Sequence, residues 1–544
     1  MEDSEVIKNI ETAIDKSYRK MPLFKTGNRY LAQWYMLLML EEIVRVPIVF
    51  EKENFKWNEY LGRVEKSKGA LKWALPWLDE LVELPFKKPK NINWDLYGIA
   101  HEFLQFSMDY YEVVPDFTYY WQKRTGAKLI DEKTIKFDFN KKEFPFEVLE
   151  KINKFDPLNA TIKRDPIPPE VNQQLENVLL TAKPDGKFGL KWKVNHNNLN
   201  PIVKYYLSEN DKKSSLNSDW TFKNLTAQQL STFFACLRSI CFVHHLTNSN
   251  ASRYFKIEAG AVMSALIEHT LNEWVDIISR NSGIAKENVK DLIRICTYDR
   301  SLPMNKRDIS LQPFFPINDS LIICPLLILN GDLERNFLAL ISRNFKKEYD
   351  KVSNHFEIKM LKQCENIAAK NNLLFAARQK LPNEKLPDIE AAFFDEKNNI
   401  LLLCQCKSVI SPAEPNEVTT RSESQNIGLK QIEKIKTYCI KNLRTVWECC
   451  FPRLKFYNPT TYHFLLMSGF YGASETIEAN IPCVEINHFE SLLAKNNSLS
   501  QTCDLICSFS FLPKETRDYE IKEFNTEIDG YKFILDGYIV KLIN

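Results

Sequence analysis

Residues 386–407 read LPDIEAAFFDEKNNILLLCQCK, from Leu386 to Lys407, and the fold turns on this stretch. An apolar run, Ile389–Phe394, meets the polar turn Asp395-Glu396-Lys397-Asn398-Asn399 and then a second run, Ile400–Cys404. Two such runs around such a turn predict an antiparallel pair of strands. The second run is continuously apolar, as a strand buried on both faces would be. The pairing brings Asp388, at the start of the first strand, to the end of the second, where Gln405-Cys406-Lys407 stands. Strand side chains alternate, so Gln405 and Lys407 share a face. A carboxylate, an amide oxygen and an ammonium converging there can hold Mg²⁺ and activate water.

Working outward, a helix is expected over His355–Lys370, with Glu357 on its first turns, and a strand over Leu373–Arg378. Beyond Lys407, a polar loop Ser411–Asn426 leads to a helix, Gly428–Asn442, a strand, Thr461–Phe470, and a closing strand and helix in Cys483–Ala494. The order αβββαβ predicts a mixed sheet flanked by helices. With the string PD…QxK, this layout resembles the PD-(D/E)xK nuclease superfamily, the restriction-endonuclease-like fold, in the branch of the nuclease-related NERD domain and Mrr-like enzymes. The resemblance covers about 150 residues, 346–500. The family pattern falls on Glu357, Pro387-Asp388, Gln405-Cys406-Lys407 and Gln431 of GLKQIEKIKTY.

The resemblance implies Mg²⁺ or Mn²⁺ held by Asp388, the Gln405 amide oxygen and the Cys406 carbonyl, with Glu357 ligating directly or through water. Lys407 would then orient water or stabilise developing charge, and Gln431 would contact the water or the DNA backbone. The departure is Gln405, where the family usually carries Asp or Glu. An amide oxygen still suits a hard cation, but it removes one negative charge. Phosphate contacts are expected from Lys380, Lys385, Ser408, Arg421, Lys430 and Lys434, by charge neutralisation. Each of these residues also has an ordinary structural reading, as a turn residue, a strand end, a helix carboxylate or a solvated helix face.

A chain of 544 residues exceeds one core, so several domains are expected. Apolar periodicity and turn signals predict a multidomain α+β protein: a helical region 1–125, a mixed linker and β region 126–225, a helical region 226–345 ending in short strands, the domain 346–500 that the resemblance makes nuclease-like, and a β-hairpin tail 501–544. The net charge of +2 excludes a global polycation, so nucleic-acid contact must come from a local surface. Thirteen scattered cysteines give no secretory disulfide framework. The apolar segment Tyr30–Phe50 carries Glu41, Glu42 and Arg45, which argues against a membrane span. With no signal peptide visible, a cytoplasmic location is expected.

Other motifs carry less. The cluster Tyr110, Tyr111, Phe117, Tyr119, Tyr120 and Trp121 could stack on bases, but core packing is the usual fate of such residues. His244-His245 and Glu268-His269 with Glu273 lack metal-ligand spacing, as do Cys404 and Cys406 with Cys439, Cys449 and Cys450. Long helices are expected over Gln228–His245 and Ala259–Arg280. The stretches Pro157–Pro169 and Asp211–Asp219 read as linkers. In the tail, Leu505–Leu512 reads as a strand, and Asp529-Gly530 and Asp536-Gly537 as hairpin turns.

The function expected on this reading is a metal-dependent DNA endonuclease, with RNA also open as substrate. Its helical N-terminal half would sense a trigger, bind a partner or form a homo-oligomer; family analogy suggests prokaryotic antiviral defence. The alternative is a catalytically inactive nuclease-like domain that only binds nucleic acid.

Overall fold

The computed structural model describes residues 3–50, 57–155, 167–211, 216, 220–412 and 415–541. Most of the expected linkers Pro157–Pro169 and Asp211–Asp219 lies outside them. The protein is mixed α+β and multidomain in build. No helix among the described residues is long and apolar enough to cross a membrane.

The N-terminal helices Arg29–Phe50, Trp57–Leu78 and Trp94–Trp121 pack on one another. Trp34, Tyr35 and Leu38 are buried, as their helical spacing predicts. Glu41 is sequestered too: its carboxylate accepts from Cys324 Sγ and Leu326 N at 3.0 Å, capping the short helix Pro325–Leu329. A charge that argues against a membrane span thus serves as an internal cap. Of the aromatic cluster, Tyr110 and Phe117 go into the core, where Tyr110 donates to Asp15 at 2.6 Å and Phe117 packs edge-on against Phe137 and Phe533; Tyr111, Tyr119 and Tyr120 are half-buried and Trp121 is exposed.

That last contact joins the two ends of the chain. The hairpin Thr125–Asp131/Thr134–Phe139 and the hairpin Tyr519–Ile528/Tyr531–Val540 form one four-stranded sheet, with Phe533 opposite Ile135 in a parallel pairing. The C-terminal β-structure therefore completes a sheet begun nearly 400 residues earlier rather than standing as a separate tail. Asp529-Gly530 makes the expected turn, both residues at positive φ. Asp536-Gly537 does not: it lies inside the strand, opposite Glu523 and Lys522. Leu505–Leu512 is not a strand either, since Leu499–Cys507 is a helix whose Leu499, Cys503 and Ile506 repeat at helical spacing.

Two further expectations are corrected. Region 126–225 holds the helices Phe144–Phe155, Pro169–Leu179 and His196–Asp211. Ala259–Arg280 is broken into a tight turn, the strand Ile267–Thr270 and the helix Leu271–Ser282. The break comes from Ala259, Gly260 and Ala261, all in the left-handed region with φ of 47°, 57° and 60°. Thr270 and Glu273 then form a capping box that restarts the helix.

The crevice between helix Trp94–Trp121, helix Phe144–Phe155 and the C-terminal hairpin holds two half-buried acids. Burial, reinforced by each other's neighbourhood of carboxylates, raises Asp116 and Glu147 to about 7. Both groups bind more protons folded than unfolded between their ordinary pKa values and about 7. Stability from this crevice is therefore present in mild acid and lost as pH rises through that window. Melting of wild type against Asp116→Asn, at about pH 5 and about pH 8, should show a wild-type deficit that grows with pH. A deficit independent of pH would mean that the acids do not titrate there.

Residues 346–507 build a five-stranded sheet between helices. Its strands are Leu374–Gln379 (β1), Ile389–Asp395 (β2), Ile400–Ser408 (β3), Thr460–Ser468 (β4) and Cys483–Glu485 (β5), in that spatial order. β1, β2 and β3 are antiparallel, and β4 and β5 run parallel to β3. The helix Lys346–Lys370 (α1) covers one face with Ile486–Asn496 (α3) and Leu499–Cys507 (α4); Pro415–Cys450 (α2) covers the other. β3 is central and alternates between two cores. Leu401 and Leu403 meet Ile432 of α2, whereas Leu402, Cys404 and Cys406 meet Met360 and Cys364 of α1. α2 begins well before the expected Gly428, taking in most of the stretch read as a loop, and it breaks at Asn442.

The first turns of α2 are clamped from both sides. Arg335 and Arg343 pair with Glu417, while Gln122 Oε1 accepts from Thr419 and Arg124 donates to Ser422 at 3.2 Å. The N-terminal half thus touches the helix that lies over the candidate site.

Candidate active site

The site forms where the β2–β3 ladder stops. Backbone pairing holds as far as Ala391 opposite Cys404. Beyond that, side chains take over: the Cys406 N–H donates to the Glu390 carboxylate, and Gln405 Nε2 donates to the Asp388 carbonyl at 2.6 Å. On the other side of β2, Arg378 takes φ of 51° between the pairs Ala377–Ala391 and Gln379–Ile389. Arg378 stands opposite Glu390 there, in a left-handed conformation that interrupts the regular β1–β2 ladder without shifting its register.

Glu390 is the residue the sequence reading passed over. Its carboxylate bonds Lys407 Nζ at 3.0 Å, with both side chains only partly exposed. The signal was available: Glu390 stands two residues from Asp388 and alternates with Ala392 and Phe394, whose partners Leu403 and Leu401 share the face of Gln405 and Lys407.

Gln405 is completely buried. Because its Nε2 is committed to the Asp388 carbonyl, the amide orientation is fixed, and Oε1 is left buried with no hydrogen-bond donor. An orphaned buried acceptor is costly, on the order of 1–3 kcal/mol. A cation bound against it would relieve that cost, so the donor set fits the divalent metal that the resemblance implies. Among the described residues, no group of three or more His, Cys, Asp or Glu converges as a ready cation site.

Asp388 is exposed at the rim, and its carboxylate makes no hydrogen bond or ion pair among the described residues. Glu357 is exposed as well. It stands three residues before Met360 and seven before Cys364, on the stripe of α1 that faces the sheet. Cys364 hydrogen-bonds Cys406, so Glu357 lies two turns, about 10 Å, further along the helix. α1 delivers the chain to Leu374, at the Ile400 end of the sheet, which puts its earlier turns at the Lys407 end. Glu357 therefore overhangs the correct end of the sheet without touching the Gln405–Lys407 group.

The sheet-facing stripe of α2 runs through Leu429, Ile432 and Cys439, and Gln425 lies on it, four residues before Leu429. Gln431 sits on the flank. Gly428 lies against Leu465, so close that a Cβ would come 2.5 Å from a Leu465 methyl, and Leu465 is the β4 neighbour of Gln405. Gln425, one turn nearer the Lys407 end, is completely buried with neither amide atom hydrogen-bonded. Gln431 Oε1 is also buried and unpaired.

The expected phosphate contacts divide. Lys380 and Lys385 are exposed on the loop between β1 and Asp388, and Ser408 is half-buried at the end of β3. Lys430 and Lys434 are exposed on the side of α2 away from the sheet, because their positions fall opposite Ile432 on the helical wheel. Arg421 is committed to structure: Nε donates to the Ile410 carbonyl at 2.8 Å, and burial pulls its pKa down beside Arg335 and Arg343. Cys364 and Cys503 lie near Cys404 and Cys406; burial pushes the Cys404 thiol up, and Cys364 together with burial pushes the Cys406 thiol up. Comparison with protein-family models, with curated proteins and with solved structures gives no match to this chain.

Proposed function

We propose that residues 346–500 carry a metal-dependent endonuclease acting on DNA, and that the N-terminal half serves it as a sensing, partner-binding or oligomerisation module. The observation that carries this reading is the Gln405 amide, oriented by the Asp388 carbonyl so that its buried oxygen is left unpaired, beside the Glu390–Lys407 ion pair on the same strand end. Support also comes from the order αβββαβ and from Asp388 at the rim. Mg²⁺ or Mn²⁺, held by the Gln405 oxygen with Asp388 and Glu390, would acidify water and neutralise phosphate charge.

The chain's own groups do the rest. Glu390 holds the Lys407 ammonium beside the sheet end, where it meets negative charge building on a phosphate oxygen. Lys380 and Lys385 approach the nucleic-acid backbone from the neighbouring loop. The neutral amide at Gln405 and the closed Glu390–Lys407 ion pair favour the second reading, a domain that binds nucleic acid without cleaving it.

The two readings separate on supercoiled plasmid and single-stranded DNA incubated with Mg²⁺, Mn²⁺ or EDTA, with RNA in parallel. Metal-dependent nicking or linearisation that stops in Asp388→Ala is the expected result. Retained binding without turnover in any metal would select the binding reading.

A further inference from the structure

A cavity of about 970 Å³ opens in the helical half, remote in sequence from the sheet end. Its walls are the segment 190–199, helix Ala227–Tyr254, strand Ile267–Thr270 and helix Leu271–Ser282. This size is at the upper end for small-molecule sites, about 300–1,000 Å³.

The chemistry inside is specific. Asn281 Nδ2 donates to the Ile277 carbonyl at 2.7 Å, which fixes that amide, so Asn281 Oδ1 accepts from His196 Nδ1 at 2.9 Å. With its proton at Nδ1, the His196 ring presents Nε2 as an acceptor. His244 Nε2 faces the carbonyls of Ser264 and Ala265 at 2.8 and 3.2 Å, so the proton sits there and Nδ1 is a second acceptor. Burial holds His244 down to about 3, so it stays neutral. The Trp192 indole lies 4.9 Å from the His244 ring and supplies a half-buried aromatic face.

The lining carries four Lys or Arg against two Glu, and of the four, Lys191 is paired with Asp185 at 3.2 Å. Both glutamates are engaged, Glu268 with Lys88 at 3.6 Å and Glu273 with the Thr270 N–H at 2.7 Å. Lys193 and Arg280 are exposed at the mouth. The Lys193 ammonium has no partner among the described residues, and Asp276, which feels the Arg280 charge, is held by Lys286 at 2.6 Å. The three histidines here do not gather as a cation site. The wall is built firmly: Ser264 Oγ donates to Leu190 O and accepts from Leu190 N, just after the left-handed turn at Ala259–Ala261.

A flat ring, imidazole acceptors and a cationic mouth match a ligand with an amino-bearing heteroaromatic base and an anionic tail. We infer that this cavity binds a nucleotide whose base carries an exocyclic amino group, with the base against Trp192, its amino group on His196 and its phosphates at Lys193 and Arg280.

Isothermal titration of the full chain with ATP, UTP and tripolyphosphate tests this, in EDTA so that the sheet-end site cannot contribute through metal. Saturable ATP binding, with UTP and tripolyphosphate weaker by about tenfold or more, is expected. Lys193→Ala and Arg280→Ala, both at the surface, should each weaken ATP by about tenfold, and His196→Ala should erase the preference for ATP over UTP. No ATP binding by wild type, equal binding of tripolyphosphate, UTP equal to ATP, or affinity unchanged in all three variants would each overturn the proposal.

Discussion

Lys407→Ala should reduce metal-dependent cleavage by about 10²–10³-fold, the loss typical of removing one preorganised group that meets developing charge. The ammonium is not a free surface lysine, because Glu390 fixes it at 3.0 Å and the same carboxylate accepts the Cys406 N–H. Glu390→Gln should produce a comparable loss, since the amide keeps the shape but no longer anchors the ammonium by charge and removes a second negative charge from the metal's surroundings. Single-turnover cleavage beside a DNA-binding titration separates the roles. If Glu390→Gln cleaves like wild type while Lys407→Ala does not, Glu390 is a strand-end cap and nothing more. If both cleave normally, the site lies elsewhere.

The second large effect concerns the joint between the N-terminal helices and the rest of the chain. Asp79 is almost wholly buried, and four groups converge on its carboxylate. Gln33 Nε2 lies at 2.8 Å, Arg300 Nε at 2.9 Å, Arg307 Nη1 at 2.8 Å and the Tyr298 hydroxyl at 3.1 Å. Asp79→Ala would strand two arginines in a poorly solvated place, which typically costs about 3–5 kcal/mol. The first thermal or denaturant transition should move down strongly. A shift no larger than that of an exposed control such as Glu5→Ala would show that water enters and solvates Arg300 and Arg307.

Much of the sheet domain is legible because its signals are local. Ile389–Phe394 and Ile400–Cys404 become strands at nearly the expected residues, joined by the expected turn. The run Ile400–Cys404 is buried on both faces, as its unbroken apolarity demands. The strands after α2 appear where read, with β4 parallel to β3. Apolar periodicity also locates the helices at Leu31–Leu38 and Leu96–Tyr111.

The candidate site is only half legible. Gln405 and Lys407 share a face by the arithmetic of alternation, so the sequence alone determines that juxtaposition. Whether a particular carboxylate reaches Lys407 depends on where β2 leaves the ladder, just past Ala391 opposite Cys404, and that is set by pairing between strands rather than within one. Which of Gln425 and Gln431 lies on the sheet-facing side depends on which stripe of α2 meets Leu465, a matter of packing between elements about 40 residues apart.

Composition and local pattern thus determined an α/β sheet, its strand order of appearance and the pair Gln405–Lys407. Tertiary structure alone decided the partnership of Glu390, the burial of Gln425, the withdrawal of Arg421 and the sheet that unites Thr134–Phe139 with Tyr531–Val540. The physical reason is common to all four. Periodicity reports which face of one element is apolar, but not which distant surface covers it. That choice is set by the sum of burial and hydrogen-bond satisfaction over the whole chain.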